Sequence, residues 1–151
     1  MEGGPVERNQ EGSIVRSGRC LCGAVRFTAR GAPRWVAHCH CESCRRATSA
    51  ALATYAGFDT ANVEWTAERP REFSSSPGVL RRFCGKCGSP MSFEGVRWPG
   101  EIHLFAASFD QPESLRPTIH VHVGEQLSWL RFADHLPRYA TTARDGPPLA
   151  S

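Results

Sequence analysis

The sequence predicts a mainly β fold, a single domain of short antiparallel strands. Three observations predict it. The apolar stretches are short and are separated by turn sequences such as Glu68-Arg69-Pro70, Ser75-Ser76-Pro77-Gly78 and Trp98-Pro99-Gly100. No long amphipathic helix, internal repeat or second domain is visible. The chain also carries seven cysteines grouped as Cys-x-Cys and Cys-x-x-Cys, spacings that suit metal ligation better than a secreted disulfide framework.

In chain order, residues 1–12 are rich in glycine and polar side chains and read as a flexible tail. The domain proper is expected over 13–140. Residues 14–19 and 24–29 alternate between core and solvent in the two-residue period of a strand, with Val25 and Phe27 on one face. Cys20-Leu21-Cys22-Gly23 joins them as a tight turn. After the break at Gly31-Ala32-Pro33, the short apolar run Trp35-Val36-Ala37 reads as a strand delivering Cys39. Residues 42–47 predict one or two helical turns.

The next apolar segment is 50–55; strands are then expected at 62–66, 71–74 and 79–83, and further ones at 91–93, 102–107 and 118–123. Residues 126–132 carry a weak helical spacing through Leu127, Leu130 and Arg131. The segment 141–151, with Ala143-Arg144-Asp145-Gly146-Pro147-Pro148, reads as a second flexible tail.

A chain of 151 residues makes one domain that buries about two thirds of its unfolded surface. Eighteen basic against fifteen acidic side chains give a formal charge of +3, too mild for nucleic acid as the main partner. The start has no apolar core of signal-peptide length, and no apolar run approaches the ~20 residues of a membrane helix. With its crowded thiols the protein is expected in the reducing cytoplasm.

The chemistry is concentrated in His38-Cys39-His40-Cys41-Glu42-Ser43-Cys44. Cys39, Cys41 and Cys44 can bring three thiolates round one soft ion and leave one tetrahedral position unfilled, which separates a reactive zinc site from a structural one. Cys20 and Cys22, with Cys84 and Cys87 in Cys84-Gly85-Lys86-Cys87-Gly88, supply four further ligands and have the form of a closed, structural zinc site. Its glycines permit backbone conformations that direct amide hydrogens towards the thiolates.

Other readings stay open: free buried thiols, a redox dithiol at Cys84 and Cys87, or a second closed site in which His38, His40 or a distant histidine completes the triad. His103, His120, His122 and His135 are available. A strand over Thr118-Ile119-His120-Val121-His122 would put His120 and His122 on one face, making them the best distant candidates to approach the triad. Arg45 and Arg46 would stand beside the triad and could pair with carboxylates of an acidic substrate.

With this pattern laid out, the sequence resembles the glutathione-dependent formaldehyde-activating enzyme family, whose domain is shared with centromere protein V. The resemblance runs from about Ser13 to Arg138. It rests on Gly18-Arg19-Cys20-Leu21-Cys22-Gly23-Ala24-Val25, on His38-Cys39-His40-Cys41-Glu42-Ser43-Cys44-Arg45, and on Arg82-Phe83-Cys84-Gly85-Lys86-Cys87-Gly88-Ser89. Weaker echoes are Phe109-Asp110-Gln111-Pro112, the His120 segment and Trp129.

The resemblance implies a β-tent of antiparallel sheets pinned by zinc, with two Zn2+ sites per chain. Cys20, Cys22, Cys84 and Cys87 would be the structural ligands, and Cys39, Cys41 and Cys44 the catalytic ones. It further implies a carbon–sulfur lyase joining glutathione, or another small thiol, to a small aldehyde such as formaldehyde to give S-(hydroxymethyl)glutathione. The sequence departs from the family at Thr48-Ser49-Ala50, where serine stands in place of the usual glycine. The alternatives are a non-catalytic zinc-binding interaction module and a zinc buffering or sensing protein.

Overall fold

The computed structural model describes residues 7–8 and 14–150. Strands β1 (Glu7–Arg8), β2 (Ile14–Arg19), β3 (Arg26–Arg30) and β6 (Val63–Trp65) form an antiparallel sheet in the order β1-β2-β3-β6. The second sheet takes β4 (Trp35–Cys39), β5 (Ala53–Asp59), β7 (Arg71–Ser76), β8 (Val79–Phe83), β9 (Pro90–Gly95), β10 (Glu101–Phe105) and β11 (Ile119–Val121) in the order β11-β4-β5-β10-β9-β8-β7. All its pairings are antiparallel except β11 on β4. The mainly β expectation therefore holds, and every strand read from the apolar stretches is present within a few residues of its place. The tail read over residues 1–12 lies outside the described residues apart from Glu7–Arg8.

The main core is filled from both sheets. Phe27 of β3 packs edge-on against Phe109 and Trp65, while Phe58, Ile102, Leu104 and Met91 come from the larger sheet. Strand alternation sends the neighbours of these residues to the opposite face. Tyr55, His103 and Phe105 thereby leave the main core and, with Trp35 and with Phe93, which the register shift in the β8–β9 pairing sets on the other face from Met91, wall a second, smaller cluster around Cys39 and Cys44. Gly57 of β5 has no Cβ, and one placed there would lie 2.4 Å from the Trp35 ring. Its absence lets the indole lie across the strand.

The single α-helix among the described residues, α1 (Glu42–Thr48), starts at Cys41, whose Sγ accepts the amide hydrogen of Cys44 at 3.3 Å. A sulfur thus does the capping that a serine or aspartate oxygen usually does. Arg46 pairs with Glu42 one turn earlier. The helix ends at Ser49, which sits in the left-handed conformation at φ 53° and ψ 32°. The departure from the family pattern therefore falls on a position where glycine is the least strained residue.

Residues 126–132 are not helical. A short 3-10 turn covers Val123–Glu125, and beyond it the Gln126 side chain donates to the Leu130 carbonyl at 2.7 Å, a local bond that substitutes for a helical one. The segment after residue 140 packs back on the domain. Thr141 accepts from the His122 amide, and Arg144 lies 3.7 Å from the buried carboxylate of Glu101.

Candidate metal centre and active-site cleft

Two thiol clusters form where the cysteine spacing places them. Cys20 and Cys22 lie in the β2–β3 turn of one sheet, and Cys84 and Cys87 in the β8–β9 turn of the other. All four Sγ atoms fall within 4.8 Å of one another. The Cys20–Cys22 and Cys22–Cys84 separations are 3.6 and 3.8 Å. A Zn–S bond of about 2.3 Å requires tetrahedral edges of about 3.8 Å, which these two separations match.

The amides of Lys86 and Cys87 donate to Cys84 Sγ at 3.3 and 3.4 Å, and that of Val25 to Cys20 Sγ at 3.3 Å. Ser89 Oγ stands 3.1 Å from Cys87 Sγ. These contacts stabilise thiolate and orient it.

Cys39, Cys41 and Cys44 form the second cluster, also within 4.8 Å, with Cys39 and Cys44 3.8 Å apart. β4 ends at Cys39, and the first turn of α1 folds Cys44 back over it. No histidine, cysteine, aspartate or glutamate among the described residues joins these three at ligand distance. The cluster lines a cleft of about 1170 Å³.

Three thiols this close resist sharing charge. Hydrogen bonds from Cys39 and then Cys41, with Tyr55 and the Arg81 charge, hold the Cys44 thiol far below its ordinary range, while Cys41 and Cys44 push Cys39 up. A cation is the group that would let all three ionise together.

Above Cys44, Tyr55 donates its hydroxyl to Sγ at 3.3 Å, and Arg81 stands 3.4 Å from that hydroxyl and 3.9 Å from the sulfur. Burial, followed by the nearby Cys44 charge, raises the Tyr55 phenol and keeps it a donor. Arg81 also lies over the Phe93 ring. Deeper in the cleft, burial lowers His103 to about 4, so its ring is neutral.

The two arginines expected beside the triad part company. Arg46 lines the cleft with a largely exposed side chain. Arg45 instead donates to the carbonyls of His40 and Glu125 at 2.6 and 2.5 Å and fixes the backbone behind the cluster. The two distant histidines also separate. His122 leaves the strand at φ 55° and lines the cleft, its Nδ1 3.6 Å from the Glu125 carboxylate. His120 stays in β11, wholly buried, against His40, His38 and Asp134.

Sequence reading missed Tyr55 and Arg81. They lie eleven and thirty-seven residues from Cys44 and meet it only through the β5-β10-β9-β8 sheet order. Alternation along β5 and β8 was the one available signal, and it names a face without naming what that face meets.

The sequence profile of the glutathione-dependent formaldehyde-activating enzyme family matches residues 15–125. The chain belongs to that family. Both cysteine clusters, with all seven thiols, lie inside the matched stretch. No curated protein matches the chain. A crystal structure of a Rhodobacter sphaeroides protein is similar at 21% identity and a TM-score of 0.49, over 61% of this chain and 85% of that one. Among the described residues no helix is long and apolar enough to cross a membrane.

Proposed function

We propose that this member of the formaldehyde-activating family makes and breaks thiol adducts of a small aldehyde, with glutathione or a similar thiol as carrier. The observation that supports it is the three-thiolate cluster opening onto a cleft with no fourth protein ligand among the described residues. In the forward direction the thiol sulfur bonds to the carbonyl carbon and the thiol proton ends on the carbonyl oxygen, giving S-(hydroxymethyl)glutathione from formaldehyde. The reverse is a carbon–sulfur lyase reaction.

Cys39, Cys41 and Cys44 would hold catalytic Zn2+, which supplies a Lewis acid with one exchangeable position. Cys20, Cys22, Cys84 and Cys87 would hold a second, structural Zn2+. Arg81 offsets the negative charge of the cluster and, with Arg46 at the rim, offers guanidinium donors to the carboxylates of an acidic thiol. Tyr55 keeps the Cys44 sulfur oriented. Trp35, Phe93, Trp98 and Phe105 line the same cleft and exclude water from the reacting atoms. The crowded free thiols fit a reducing, cytoplasmic setting.

The test mixes formaldehyde and glutathione and follows adduct formation by NMR exchange spectroscopy with and without the protein. Acceleration is expected. Rates equal to the spontaneous one across several thiols would remove the reading.

A further inference from the structure

We propose a third metal site, separate from both cysteine clusters, in which His38, His120 and Asp134 hold a divalent transition ion. β11 lies parallel to β4 with His120 opposite His38 in register. Neighbouring strands thus present two imidazoles side by side, with ring centroids 4.9 Å apart. Adjacent residues on a strand face opposite ways, so His38 points away from the cleft that Cys39 lines. Asp134 reaches the pair from the irregular segment after β11, its carboxylate oxygens 3.0 and 3.2 Å from His120 Nε2. One ligand atom from each of the three residues lies within 4.8 Å of the other two.

What surrounds the three side chains is the pattern found behind metal-bound imidazoles. Each histidine has its other nitrogen engaged by an uncharged partner. His38 Nδ1 is 2.8 Å from Thr54 Oγ1, and His120 Nδ1 is 2.9 Å from His40 Nε2. Such contacts fix the ring and leave the remaining nitrogen for the ion. Phe132 packs on all three imidazoles and shields one side. Two nitrogens and one carboxylate make a donor set of intermediate softness, suited to Zn2+, Fe2+ or Co2+ rather than Ca2+.

The ion has mechanical work to do at this place. The stretch from Gln126 to Pro137 has no helix or strand of its own; it meets the imidazoles of β4 and β11 through the Phe132 ring and through the Asp134 carboxylate, which holds His120 Nε2. Coordination would clamp that stretch to the sheet.

Co2+ titration of the full-length protein, with both cysteine clusters first filled with Zn2+, tests the site. Thiolate ligands give intense sulfur-to-cobalt bands, which a nitrogen and oxygen donor set cannot produce. The expected result is one further equivalent of Co2+ bearing weak ligand-field bands alone. Asp134→Asn keeps an oxygen that can accept from His120 but removes the anionic ligand. It should weaken Co2+ by at least about tenfold, the lower end of what loss of even an outer-shell partner costs, while the zinc content of the cysteine clusters stays unchanged. No extra equivalent, an extra equivalent carrying thiolate bands, or equal affinity in Asp134→Asn would each overturn the proposal and leave the three residues as a hydrogen-bonded network only.

Discussion

Replacing Cys84 by serine separates a clamp from a reactive site. Cys84 is 1% exposed, belongs to the main core and accepts two amide hydrogens, so a serine there would lose the zinc proposed for this cluster and leave those amides a smaller acceptor. The larger loss is topological. A zinc held by the cluster would link Cys22 to Cys84 across 62 residues and join two different sheets. In the chain-entropy treatment of a cross-link, releasing a loop of that length returns about 14 cal/mol/K to the unfolded chain, or about 4 kcal/mol at room temperature.

In a domain of this size that corresponds to a fall in Tm of about 8–16 °C. It also removes a large part of the 5–15 kcal/mol that holds a typical domain folded. Cys41→Ser is the control. Its cluster spans only five residues between Cys39 and Cys44, α1 already fixes that loop, and serine can take over the N-cap. Thermal unfolding by circular dichroism, with zinc measured on the same samples, should show Cys84→Ser far less stable and Cys41→Ser folded but short of one metal. Equal losses of Tm in the two variants would refute the division of labour.

Other outcomes follow from the same geometry. Arg81→Gln should leave the fold intact and raise KM for glutathione about tenfold, consistent with one lost hydrogen bond to a charged group, with little change for a neutral thiol of similar size; steady-state kinetics on both thiols checks this. Ser49→Gly should raise Tm by about 2–4 °C, since it relieves roughly 1 kcal/mol of left-handed strain, measured by calorimetry. His103 contributes a pH dependence whose sign is fixed by its burial. An ordinary imidazole titrates at 6.5 and this one at about 4, so between those values the unfolded chain binds the extra proton. The stability held by the neutral ring is complete above pH 6.5 and is lost as pH falls towards 4. Denaturant unfolding across that range should show a shallower acid loss in His103→Phe than in the parent protein.

The cysteine clusters were legible because metal ligands carry their spacing in the local sequence, and the strands because turn residues punctuate the apolar runs. The cleft was not legible. Tyr55, Arg81, Phe93 and His103 come from four strands, and which of them meet depends on sheet order, a property no local pattern encodes. Arg45 and Arg46 show the limit at single-residue scale. Adjacent on a helix, they point about 100° apart, and one reaches backbone carbonyls while the other reaches the cleft. His122 failed the alternation rule because the strand ends before it, its backbone turning into the left-handed region to start the next turn. The helix expected near Gln126 gave way to a side-chain bond that the spacing of apolar residues does not register.

Glu101 gives the C-terminal stretch a meaning for anyone trimming this protein. Its carboxylate, 4% exposed, takes the Trp35 indole hydrogen at 3.0 Å and has Arg34 and Arg144 beside it. A fragment cut at residue 125, where the family profile stops, would strip away Arg144 and the strip of chain that closes one side of the cleft, and would uncover His120 on the opposite face. Such a fragment would keep every thiol and still present a different binding surface, so boundaries drawn from shared sequence would mark the chemistry of this protein and miss its shape.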